Sequence, residues 1–206
     1  PIAYPYKIVT TIGMVSDMVS AVAGDLATCE PLIGAGIDPH LYTTTRGDMV
    51  KLLKADVVFY CGLMLEGRMS DALEKVGRRG RTVFAVTAGI DKSKLLSPED
   101  FEGHHDPHVW MDVKLWIQAS QAVEETLARF DPKNTIQYAK NQARYAMTLE
   151  KLDAYVKRVI GTVPEPKRVL VTAHDAFNYF GRAYNMEVLG IQGISTESEA
   201  GLRRIN

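Results

Sequence analysis

Short apolar runs alternate along this chain with stretches whose apolar residues recur every three or four positions, the pattern of an α/β protein with a parallel sheet. Four runs predict strands at Lys7–Ile12, Leu26–Ile33, Val57–Tyr60 and Thr82–Val86. Helices are predicted between them. Met14–Val22 places Met14, Met18 and Val22 on one face, Arg46–Lys54 precedes the third strand, and Met69–Val76 precedes the fourth. Four strand–helix units of this kind make one compact lobe.

The pattern then changes. Asp112–Phe130 predicts a helix that Asp131-Pro132 ends, because proline disfavours helical geometry at the residue before it. A second helical stretch runs from Asn134 to Ile160, with Ile136, Ala139, Ala143, Ala146, Leu149, Leu152, Val156 and Val159 forming an apolar stripe at helical spacing. Lys140, Arg144, Lys151, Lys157 and Arg158 are interleaved with it and stay solvated. At ~1.5 Å per residue such a helix reaches about 40 Å, the width of a small domain. Gly161 and Pro164-Glu165-Pro166 stop it. Strand–helix alternation resumes with a strand at Arg168–Thr172, a helix at Ala176–Tyr184, a strand at Glu187–Gly190 and the start of a helix at Glu197–Asn206. A second lobe is thus begun and, in this chain, not completed.

Composition narrows the function. A net charge of −1 gives no sign of nucleic acid or of an anionic membrane surface as partner. No run of ~18 apolar residues is present to span a bilayer. The chain starts at Pro1 without a secretory leader, which suits a mature secreted protein or a cytoplasmic one equally. Cys29 and Cys61 form either one disulfide or two thiols. Their apolar surroundings favour buried thiols, and no CxxC spacing marks a redox or zinc site.

The histidines carry the candidate chemistry. His40 lies in Asp38-Pro39-His40 and His108 in Asp106-Pro107-His108, so one tripeptide occurs twice, each time in a loop. Proline fixes the backbone and holds the following side chain in a defined direction. A neighbouring aspartate can accept the second ring N–H and raise the basicity of the imidazole. His174 follows the strand Val169-Leu170-Val171-Thr172, at the carboxyl edge where open α/β sheets collect ligands. Each of the three also has the ordinary reading of a hydrogen-bonded cleft residue. His104 and His105 read as a solvated loop, and Glu66, Asp112 and Asp175 as helix caps or surface carboxylates. Trp110 and Trp116 are expected to pack a core, and Tyr42 to be a core residue or a pocket wall.

Three segments, Gly36-Ile37-Asp38-Pro39-His40-Leu41-Tyr42, Asp106-Pro107-His108-Val109-Trp110-Met111-Asp112 and Val171-Thr172-Ala173-His174-Asp175-Ala176-Phe177, together with Gly193–Glu199, resemble the metal-binding solute receptors of ABC transporters, the zinc/manganese group. The resemblance covers nearly the whole chain in the right order. It implies two parallel-sheet α/β lobes joined by one long rigid helix, divided as an N-terminal lobe 1–131, a linking helix 132–163 and the start of a C-terminal lobe 164–206. It further implies that His40, His108 and His174 are metal ligands, with a carboxylate from later in the second lobe as the fourth. Manganese-selective members tend to carry Glu at the third position, and three nitrogens favour zinc (Zn2+) over Mn2+ or Fe2+.

The implied role is capture of a divalent metal ion outside the cytoplasmic membrane of a bacterium, periplasmic or at the cell surface as a lipoprotein, and handover to the membrane permease of an ABC transporter. A monomer is expected, with no enzymatic activity. Affinity should fall as pH drops towards ~6, where imidazoles protonate. Two other classes compete: a three-histidine zinc hydrolase or lyase with an open water position, and a metal-binding surface adhesin. The chain has no HExxH and no obvious general base, which counts against the enzyme.

Overall fold

A computed structural model describes residues 2–101 and 103–196. Its elements are β1 (Tyr6–Thr10), α1 (Gly13–Ala23), β2 (Ala27–Pro31), α2 (Arg46–Lys54), β3 (Val57–Tyr60), α3 (Ser70–Arg78), β4 (Thr82–Ala85), α4 (Val113–Phe130), α5 (Thr135–Gly161), β5 (Val169–His174), α6 (Asn178–Tyr184) and β6 (Glu187–Gln192). β1–β4 form one parallel sheet in the order β2-β1-β3-β4, and β5 and β6 pair in parallel as a second. The α/β class, the parallel sheets and the long helix match the sequence expectation. The helix predicted at Glu197–Asn206 lies outside the described residues.

The interior strand β3 of the first sheet is buried on both faces, with Val57, Val58 and Phe59 at 0% exposure. That explains its continuous apolar run, since a parallel strand covered by helices has no polar face to show. Val15, Met18, Val19 and Val22 of α1 pack on one side. α2 starts at a capping box in which Thr45 and Asp48 satisfy each other's backbone N–H groups. Asp112 caps α4, accepting from the Lys114 N–H at 3.0 Å, as one of its two sequence readings had it.

α5 has the predicted extent but not the predicted face. Ile136 is 86% exposed, and Leu152 and Val159 are exposed as well; of the apolar stripe, Leu149 is buried. The face turned to α1 and α4 is instead Tyr138, Asn141, Tyr145 and Leu149. Tyr138 Oη donates to Asp131 at 2.9 Å and meets Tyr6 Oη at 3.0 Å, while Asn141 Nδ2 donates to the Val22 carbonyl at 2.9 Å. Tyr145 Oη reaches Asp17 at 3.2 Å. Polar tips on large side chains rotate the buried face away from where apolarity alone places it. Gly24, at φ +58°, lets this contact close, because a Cβ there would stand 2.9 Å from Asn141 Nδ2.

In the second sheet Leu170, Thr172 and Val188 are half-buried, whereas Val169, Val171, Leu189 and Ile191 share an exposed face. Cys61 is buried and Cys29 half-buried, both as free thiols. Trp116 packs in the core as expected. Trp110 is only half-buried and sets its ring edge-on to His108 with centroids 5.3 Å apart, so it belongs to the site's wall.

Candidate metal centre

The repeated tripeptide folds the same way twice. Asp38 Oδ1 accepts the His40 backbone N–H at 2.9 Å, and Asp106 Oδ1 accepts the His108 N–H at 2.9 Å. Each is an aspartate-closed turn around a proline, which fixes where the histidine leaves the backbone. His40 stands in the loop between β2 and α2, and His108 just before the single 3₁₀ turn Val109–Met111 that leads into α4. His174 ends β5, the strand-edge position expected for it.

These three side chains converge, with one ligand atom of each within 4.8 Å of the others. His108 Nε2 lies 3.3 Å from His40 Nε2 and 3.2 Å from His174 Nε2. His40 and His108 are buried at 5% and 3% exposure, and His174 is half-buried. A tetrahedral centre with metal–nitrogen bonds of ~2.0–2.1 Å has ligand atoms ~3.3–3.4 Å apart. The two nitrogen spacings fall close to that edge length.

The tautomers of two rings follow from their partners. His108 Nδ1 faces Asp106 Oδ1 at 2.8 Å and His174 Nδ1 faces the Gly193 carbonyl at 2.9 Å. A carboxylate and a carbonyl only accept, so Nδ1 carries a proton in both rings, and each ring in its neutral form presents the Nε2 lone pair. Between neutral rings two lone pairs thus meet at 3.2 Å, an arrangement that a cation placed between them relieves. Asp106 is fully buried and is the kind of acceptor expected from the neighbouring aspartate. Burial, then the neighbouring His108, hold the His174 imidazole below the ordinary histidine range, against the opposing pull of the Gly193 carbonyl, Asp38 and Asp175. A ring kept neutral is ready to coordinate.

A cavity of about 420 Å³ opens beside His40, with Met64, Arg68, Phe101, His104 and Ser195 on its walls. His104 is exposed, and His105 bonds Ser97 Oγ through Nδ1 at 2.9 Å; neither joins the group of three. Tyr42 is half-buried and donates through Oη to Asp48 at 2.8 Å.

Two carboxylates are buried rather than at the surface, one of the two places their sequence reading allowed. Glu66 stands at the N-cap position of the 3₁₀ turn Gly67–Met69, but its side chain makes no capping bond there. It is 3% exposed and accepts from Thr11 Oγ1 at 2.5 Å, Cys61 N at 2.8 Å and Gly62 N at 3.1 Å, pinning the ends of β1 and β3 together. Burial raises its pKa above the usual glutamate value, against those hydrogen bonds. Asp175 is 5% exposed and packs on Gly190, where a Cβ would come within 2.6 Å of it; α6 starts three residues later. Burial and the charge of Glu66 push the Cys61 thiol well up, so it stays protonated and is no ligand; its Sγ donates to the Pro107 carbonyl at 3.7 Å.

Residues 8–206 match the family described as the zinc-uptake complex component A, periplasmic (ZnuA). The zinc-binding protein TroA of Treponema pallidum (strain Nichols) is 48% identical over 193 residues, 94% of this chain and 62% of that protein. Its solved structure superposes with a TM-score of 0.91 at 46% identity, covering 97% of this chain and 71% of that one. The manganese-binding lipoprotein MntA of Bacillus subtilis (strain 168) is 41% identical over 199 residues, 97% of this chain and 64% of MntA. The iron ABC transporter substrate-binding lipoprotein MtsA of Streptococcus pyogenes serotype M1 is 34% identical over 198 residues, 94% and 64%. The chain therefore spans just under two thirds of the length of these curated relatives.

Proposed function

The chain belongs to the periplasmic zinc-uptake component A family, and from that premise we propose that it captures a divalent transition metal outside the cytoplasmic membrane and hands it to an ABC permease. His40, His108 and His174 are the proposed ligands. The observation that carries this is the pair of tautomer-fixed lone pairs, His108 Nε2 and His174 Nε2, facing each other at 3.2 Å with His40 Nε2 alongside. Such a donor set attracts a cation.

Zinc is the proposed cargo, because imidazole nitrogens suit it better than the oxygen-rich shells that manganese prefers. The relatives' names span zinc, manganese and iron, so Mn2+ and Fe2+ are the alternatives. Intrinsic affinity favours zinc over manganese at any such site, so cargo must be assigned by competition at cellular metal levels. The proposed architecture is an N-terminal lobe 1–131, a linking helix 132–163 and a C-terminal lobe beginning at 164, in a monomer. A periplasmic or lipid-anchored location agrees with the family description and the relatives' names.

The family is one of transporter substrate-binding proteins, not enzymes. Titration with zinc against a chromophoric chelator tests the site. Wild type binds one equivalent, and His40→Ala or His108→Ala weakens binding by orders of magnitude. Unchanged affinity in both variants refutes the ligand set.

A further inference from the structure

The seam between the two sheets has polar contacts that converge on one residue, Asp106. Asp106 Oδ1 holds the His108 ring, while its Oδ2 accepts from Asn178 Nδ2 at 3.3 Å and its backbone carbonyl accepts from Tyr179 Oη at 2.8 Å. Tyr179 is fully buried and also accepts the Leu96 N–H at 3.0 Å. Both residues sit in the first turn of α6, and His174 lies only four residues before Asn178. Between them the chain is stiff: Asp175 and Ala176 are buried, and the Ala176 N–H bonds back to the His174 carbonyl at 2.9 Å. One short segment therefore presents a histidine and also grips the carboxylate that orients another, 66 residues away in sequence.

We propose that Asn178 and Tyr179 are positioning residues that couple the two ends of the metal site, fixing Asp106 and through it the His108 ring in register with His174. The grip of Asn178 and Tyr179 on Asp106 sets both nitrogens' placement at once, and releasing it loosens both. Binding and release then follow that grip as one event rather than ligand by ligand. Tyr179 is suited to this, since burial above all raises its pKa to about 12, and the hydroxyl keeps the proton that it donates.

The same seam supplies an internal control. Arg182 donates to the Lys94 carbonyl at 2.7 Å and to Asp112 at 3.4 Å, and stacks over Tyr179, without touching Asp106 or a histidine. The coupling rests on the metal-site reading, so wild type and His108→Ala are measured beside the seam variants. Cobalt(II) absorption reports ligand geometry, chelator competition reports zinc affinity, and thermal melts report folding.

The expected result is that Asn178→Ala and Tyr179→Phe each weaken zinc by about tenfold, the low end of what outer-shell partners of metal ligands contribute. Their cobalt band shifts, whereas Arg182→Ala lowers the melting temperature and leaves the band in place. In an Asp106→Asn background the Asn178→Ala effect on zinc shrinks to under twofold. If Asn178→Ala, melting as wild type does, retains wild-type zinc affinity and cobalt spectrum, the coupling is overturned and the metal site stands. It is equally overturned if Arg182→Ala moves affinity and spectrum as much as the other two. No cobalt or zinc binding by wild type overturns both readings.

Discussion

Asp106→Asn is the sharpest test of how the site is built. The side chain is fully buried and its Oδ1 serves both the backbone and the ring of His108, at 2.9 and 2.8 Å. Asparagine keeps the shape and one acceptor oxygen, so the turn around Pro107 survives; what goes is the negative charge behind the imidazole, together with the Oδ2 acceptor for Asn178. A hydrogen bond to a charged group contributes about 1.5–3 kcal/mol. Losing an outer-shell partner costs about 10–100-fold in metal affinity, which is about 1.4–2.8 kcal/mol at tenfold per 1.4 kcal/mol. The two ranges, from different kinds of experiment, coincide, so the expected loss of zinc affinity is between ten- and a hundredfold. Chelator competition at pH 7.5 measures it, with circular dichroism confirming an unchanged fold. An affinity within threefold of wild type refutes the view that this carboxylate conditions His108.

Three more outcomes follow from the same structure. His174 has a folded pKa below its unfolded value, so the unfolded chain binds the extra proton first and metal-free stability falls as pH drops from about 6.5 towards the depressed value; an NMR titration of the His174 ring with a midpoint at or above 6.5 contradicts this. Glu66→Ala strands the Thr11 hydroxyl and the Cys61 and Gly62 N–H groups and should cost about 3 kcal/mol in urea unfolding. Because burial raises the Glu66 pKa, wild type should also lose stability relative to Glu66→Gln as pH rises above 4.5, and an opposite slope would refute that sign. On α5, Asn141→Leu orphans the Val22 carbonyl and should cost about 1–3 kcal/mol. Ile136→Lys, at an 86% exposed position, should stay within about 0.5 kcal/mol; the reverse ranking would restore the apolar stripe as the buried face.

The strands and helices were legible because they rest on local periodicity. Arg46–Lys54 and Val57–Tyr60 coincide with α2 and β3 to the residue, since a capping box and a fully buried apolar run are local signals. The three histidines were legible for a related reason: a rigid tripeptide used twice and a strand end are both written in neighbouring residues. What escaped was non-local. Glu66 meets Thr11 across 55 positions and Tyr179 meets Asp106 across 73, and no spacing rule points from one to the other. The face of α5 escaped because tyrosine and asparagine count as polar in a pattern, although Tyr138 and Asn141 bury their bodies and satisfy their tips on distant backbone and side chains.

The 27-residue α5 has a mechanical consequence. Its first half is fastened to α1 and α4 by Tyr138, Asn141 and Tyr145, while the second sheet is attached beyond its far end. Beyond Tyr145 the free part of the helix acts as a lever of ~24 Å, so a tilt of about 5° at the fastened half swings the free end by about 2 Å. Metal–nitrogen bonds tolerate only ~0.2 Å. An angular change too small to disturb the core of the first sheet is thus amplified into a displacement ten times the tolerance of a coordination bond.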